Sequence, residues 1–168
     1  MNENEIFQAG EPASASLQCP VNFRHRILVV EDDGDIRRLN AEVLIHSGYH
    51  VDAAADGAAA WQALGTENYD LMITDNNMPK LTGVDLLKKL HSAHIAMPVI
   101  MVTGILPTWE FALRPWLLPA AMLLKPYTVG ELLKTVRVIL HANDSVPRTV
   151  LASAGDWRSQ LSVVGLQP

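Results

Sequence analysis

The chain has 168 residues, 49% of them hydrophobic, and a formal net charge of −5, which leaves room for one sizeable core and some extra chain but not for two full domains. A single cysteine, Cys19, excludes an intramolecular disulfide and a cysteine zinc site of usual spacing, and no apolar run is long enough for a membrane helix. The acidic balance lacks any long Lys/Arg cluster, which argues against direct nucleic-acid binding, and Glu3 and Glu5 stand where a signal peptide would be basic and then apolar, so a cytoplasmic setting is expected.

Residues 1–25 show no sustained apolar period, and Ala9 to Pro20 is rich in Ala, Ser, Glu and Pro, the composition of a disordered tail. Ile27 to Val30 reads as a buried strand that stops at Glu31, Asp32 and Asp33. Ile36, Leu39, Val43 and Leu44 then share one helical face, with Asp33 as N-cap and Gly48 as terminator. His50 to Ala54 gives a second strand, and Asp56-Gly57 opens an Ala-rich helix through Leu64 that closes near Gly65. Leu71 to Thr74 forms a third strand ending in Asp75, a turn with Pro79 follows, and Thr82-Gly83-Val84-Asp85 resembles a capping box for a helix to about His91.

Pro98 to Val102 makes a fourth strand ending at Thr103. Between Leu106 and Pro119 stand Pro107, Pro115 and Pro119, which cannot all sit inside one helix. Ala120 to Leu124 makes a fifth strand ending at Lys125-Pro126. Thr128 to Glu131 is a second capping box, and Val129, Leu132, Leu133, Val136, Ile139 and Leu140 share a helical face behind it. Residues 142–168 have no clean period, with Pro147 and Gly155 as interruptions, and a short helix is expected at most around Trp157 to Val164. Strands alternating with helices predict an α/β fold, a doubly wound parallel sheet with helices on both faces.

Ligands of such sheets sit at the carboxyl ends of the strands. Collecting the strand-closing residues gives Glu31, Asp32, Asp75, Thr103 and Lys125, that is three acids, a hydroxyl and an amine. Clustered carboxylates repel one another, and a hard cation that keeps several waters relieves the repulsion, which suits Mg²⁺ better than Zn²⁺. A carboxylate so placed is suited to attack a phosphoryl group while the hydroxyl and the ammonium hold its oxygens. Walker, Rossmann and GxSxG patterns are absent.

The motifs Ile27-Leu28-Val29-Val30-Glu31-Asp32-Asp33 with Ile36-Arg37-Arg38, Asp75-Asn76-Asn77-Met78-Pro79 with Gly83, Val102-Thr103-Gly104 and Lys125-Pro126-Tyr127, in this order and at strand ends, resemble the receiver domain of bacterial two-component response regulators over Arg26 to His141. The resemblance implies a flavodoxin-like five-stranded sheet of order 2-1-3-4-5. It implies Asp75 as phosphoacceptor from the phosphohistidine of a histidine kinase or histidine phosphotransfer protein. Asp32, Asp75 and the main-chain carbonyl of Asn77 would hold Mg²⁺, with Glu31 acting through water; Thr103 and Lys125 would bind the phosphoryl group. It also implies a signalling domain rather than an enzyme, with an unidentified downstream protein and a homodimer left open.

Several residues have plainer explanations. Asp33 is a helix N-cap, and His91 and His94 suit the negative end of a helix dipole better than a metal. Trp109, Phe111 and Trp116 either cover the sheet or present a sticky surface to a partner, and packing into the core is the expectation. Met122 stands where many relatives of such a domain carry Tyr or Phe, and it is flexible enough to fill the same space. Together with the prolines it leaves an alternative, a phosphorylation-independent adaptor that keeps the fold and binds a partner constitutively. Neither end is long enough for an effector domain, so the expected signal leaves through the domain's own surface or its short tails.

Overall fold

A computed structural model describes residues 25–144. The expected tail before His25 and the expected helix at Trp157 to Val164 lie outside them. Within this range β1 (Arg26–Val30), α1 (Gly34–His46), β2 (His50–Ala54), α2 (Gly57–Thr66), β3 (Leu71–Asp75), α3 (Gly83–Ser92), β4 (Val99–Thr103), α4 (Thr108–Leu113), a 3₁₀ turn (Pro115–Leu117), β5 (Ala121–Leu124) and α5 (Val129–Asp144) follow one another. All strand pairs are parallel, in the order β2-β1-β3-β4-β5. The chain leaves β1 toward β2 on one side and reaches β3 on the other, so the carboxyl ends of β1 and β3 flank the switch point where such sheets bind ligands.

The central strands are apolar on both faces because helices cover both. Ile27, Val29, Leu71, Ile73, Ile100 and Val102 pack with Leu44 of α1 and Leu132, Val136 and Leu140 of α5. Leu28, Val30, Met72 and Met101 face the other way, onto Trp61 and Leu64 of α2, Leu87 and Leu90 of α3, Phe111 and Leu117. The expected caps form: Asp33 accepts from the Asp35 and Ile36 amides at 2.9 and 3.1 Å, and Thr128 and Glu131 cap each other's amides at 2.7 and 3.2 Å. Gly48 closes α1 at φ 88°, a conformation that favours glycine.

Boundaries shift where prolines and their absence dictate. β4 starts at Val99 rather than Pro98, which has no N–H for the ladder, and β5 starts one residue after Ala120. α5 continues past His141 to Asp144, since no helix breaker precedes Pro147.

The fourth crossover corrects one expectation. Pro107 precedes a six-residue α4, and Pro115 opens the 3₁₀ turn. A helix so short offers few inward positions: Phe111 takes one and is 7% exposed, but Trp109 and Trp116 are 63% and 54% exposed and are not core residues. Trp116 lies instead against His91 of α3, ring centroids 4.2 Å apart. Lys88 of α3 reaches Glu110 at 3.8 Å, and Glu110 binds Arg114 at 2.6 Å, which draws the segment toward α3. On β5, Ala121 and Leu123 join the α1/α5 side of the core, while Met122 and Leu124 stay 40% and 52% exposed. Met122 therefore lies on the face of β5 opposite α1 and α5, partly open to solvent.

Candidate functional site

Three acids meet at the carboxyl ends of β1 and β3. Glu31, Asp32 and Asp75 each bring a carboxylate oxygen within 4.8 Å of the others, and among the described residues they are the one such group. Glu31 and Asp75 are buried, whereas Asp32 is exposed. Neither His91 nor His94 belongs to the group. His91 lies in α3, and His94 follows that helix at φ 56°.

Lys125, just past β5, binds both buried acids: its Nζ lies 2.7 Å from an Asp75 oxygen and 2.9 Å from a Glu31 oxygen. The Asp75 carboxylate also accepts the Asn77 N–H at 3.0 Å. Burial works against the ionised Asp75, but Lys125 and the Asn77 amide outweigh it and hold the carboxyl below its ordinary range. Burial dominates at Glu31 and pushes its carboxyl upward against the pull of Lys125, with Asp75 adding repulsion. Burial likewise works against the Lys125 ammonium, and the two carboxylates more than offset it, so its pKa is raised.

Thr103 closes β4, where its hydroxyl donates to the Ile105 carbonyl at 2.7 Å and accepts the Ile105 N–H at 3.3 Å. Sequence reasoning did not assign Arg37, whose guanidinium binds the carbonyls of Glu31 at 2.7 Å and Asp32 at 3.2 Å and so fixes the acidic turn. Its place one turn into the helix after an acidic strand end was the available signal. It also missed Asn40, buried in α1, which donates to the Tyr127 hydroxyl at 2.9 Å and ties α1 to the segment after Lys125. Beside that bond runs a groove of about 460 Å³ lined by Ile36, Leu39, Asn40, Lys125, Pro126, Tyr127 and Val129.

The donor set fits Mg²⁺. It consists of carboxylate oxygens, two of them buried, with a main-chain loop adjoining. Three carboxylates face the single ammonium of Lys125, which leaves net negative charge for a cation to neutralise. Such an arrangement can hold a hard cation beside one ionised, amine-paired carboxylate that is free of a covalent partner.

Comparison with known proteins gives a consistent picture. The family model of the response regulator receiver domain matches residues 27–137. The response regulator receiver protein CpdR of Brucella abortus is 32% identical over 120 residues, 70% of this chain and 98% of that protein. The probable transcriptional regulatory protein SilR of Salmonella typhimurium is 34% identical over 72% of this chain, but the match spans only 53% of SilR. Among solved structures, the chemotaxis response regulator CheY4 of Vibrio cholerae superposes with a TM-score of 0.62 at 29% identity, over 68% of this chain and 98% of that one. A CheY-like receiver domain protein of Methanospirillum hungatei reaches 0.67 at 28% identity, over 71% and 96%.

Proposed function

The chain belongs to the response regulator receiver domain family of two-component signalling, and from that premise we propose that it is a Mg²⁺-dependent switch that accepts a phosphoryl group on Asp75. The supporting observation is the Asp75 carboxylate itself. It is 6% exposed, held ionised at the switch point, with the Lys125 ammonium 2.7 Å away and two further acids beside it.

Asp32, Asp75 and the Asn77 carbonyl would hold the cation, and Glu31 would act on it through water. When bound, the cation neutralises charge that the incoming phosphoryl group would otherwise meet. An Asp75 oxygen attacks phosphorus of a phosphohistidine on a histidine kinase or phosphotransfer protein. The P–N bond breaks and its electron pair stays on the imidazole nitrogen, and because the other ring nitrogen carries a proton the ring leaves as neutral imidazole. Lys125, already against the Asp75 oxygen, follows the new charge onto a phosphoryl oxygen. Thr103 gives up its bond to the Ile105 carbonyl to donate to another, and that movement carries the signal toward β5 and α4. The groove between Ile36, Leu39, Tyr127 and Val129 offers the phosphoryl donor an apolar bed beside Lys125.

Similarity to CpdR over 98% of that protein supports reading this chain as a receiver that signals through protein contacts. Among the described residues no helix is long and apolar enough to cross a membrane. Incubation with acetyl phosphate and Mg²⁺ should add one base-labile phosphoryl group, detected by mass, to the wild type and none to Asp75→Asn. No addition to the wild type would favour the phosphorylation-independent adaptor, the reading that the exposed Met122 supports.

A further inference from the structure

We propose that Asn76 is a positioning residue for the phosphoacceptor loop, because it clamps the start of α3 to the end of β3 from both its main chain and its side chain. The first amides of a helix have no partner within the helix and must find one outside. In α3 the side chain of the N-cap Thr82 serves only the Asp85 amide, at 3.1 Å. Asn76 serves the other two: its carbonyl accepts the Gly83 N–H at 3.3 Å and its side-chain oxygen accepts the Val84 N–H at 3.2 Å.

The same residue is tied on its other side. Its own N–H donates to the Val102 carbonyl of β4 at 2.9 Å, and its side-chain amide approaches the Asn77 side-chain oxygen at 3.4 Å. Gly83 makes the clamp sterically feasible, since a Cβ there would lie 2.6 Å from the Asp75 carbonyl and 3.0 Å from the Asn76 Cα. Asn76 stands between the carboxylate of Asp75 and the carbonyl of Asn77, so fixing it at β4 and at α3 fixes the directions in which both neighbours present oxygen. The inference rests on the proposed role of that loop in holding the cation.

Mg²⁺ titration of the full chain by calorimetry, with melting curves and amide exchange at Val84, tests it. Asn76→Leu keeps the side-chain size but has no acceptor, and Asn76→Asp keeps the acceptor. N76L should bind Mg²⁺ about tenfold more weakly and exchange the Val84 amide faster, and saturating Mg²⁺ should restore its phosphorylation by acetyl phosphate. N76D should bind at least as tightly as the wild type and keep the Val84 amide protected. If N76L does not fold, Asn76→Ser, too short to reach Val84, takes its place with the same expectation. Wild-type affinity in a folded N76L or N76S overturns the inference alone, whereas a wild type that takes up no Mg²⁺ overturns the proposed site and the inference with it.

Discussion

Glu31 and Asp75 share one lysine yet their pKa values move in opposite directions, upward for Glu31 and downward for Asp75, and the two shifts act oppositely on stability as pH changes. The folded pKa of Asp75 is depressed, so the stability it contributes is full above its unfolded value of about 3.9 and is lost as pH falls through the lower folded value. The folded pKa of Glu31 is raised, so its contribution is full below about 4.3 and is lost as pH rises through the higher folded value. At neutral pH Glu31 is therefore a cost to the apo fold. Glu31→Gln should melt a few degrees above the wild type in metal-free buffer at pH 7, with the gap closing toward pH 4, and should gain less from added Mg²⁺. A lower melting temperature at pH 7 would mean that the Lys125 ion pair outweighs burial. The five strand-end residues were legible in the sequence because each follows an apolar run. The bond from Asn76 to Val84 was not legible, because an asparagine after a strand has many local uses and only the close approach of Gly83 selects this one.

Among the elements, the strands and four of the five helices were legible because period, cap and terminator agreed, as with Asp33 and Gly48 around α1. The fourth helix was legible only as an interruption. Prolines say where a helix cannot run, not which way the remaining turns face, so the inward Phe111 and the outward Trp109 and Trp116 could not be told apart. The distinction has a measurable counterpart. Phe111→Ala should cost about 3 kcal/mol of unfolding free energy, as large-to-small changes in packed cores do. Trp109→Ser should stay within about 0.5 kcal/mol, the range of exposed substitutions. Denaturant melts compare the two directly, and a larger loss at Trp109 would place that ring against the core after all. With Met122 and Leu124 also open, the α4 and β5 side of the sheet is less covered than the α1 and α5 side.

The whole molecule couples this local chemistry to folding. The three acids come from β1 and β3, and Lys125 follows β5, so the cluster exists only when the sheet is assembled. A cation that binds only the folded chain stabilises it by about 2.7 kcal/mol at a concentration one hundred times its Kd. The melting temperature should accordingly climb with Mg²⁺ in the wild type and much less in Asp32→Asn, where the exposed carboxylate of the proposed site is lost. Equal climbs would place the cation elsewhere. The contact between His91 and Trp116 has a consequence of another kind, in optics. An indole lying 4.2 Å from an imidazole emits differently from one in open water. In a chain whose other three tryptophans, Trp61, Trp109 and Trp157, are replaced, the emission of Trp116 should therefore follow the spacing between α3 and the turn that leads into β5.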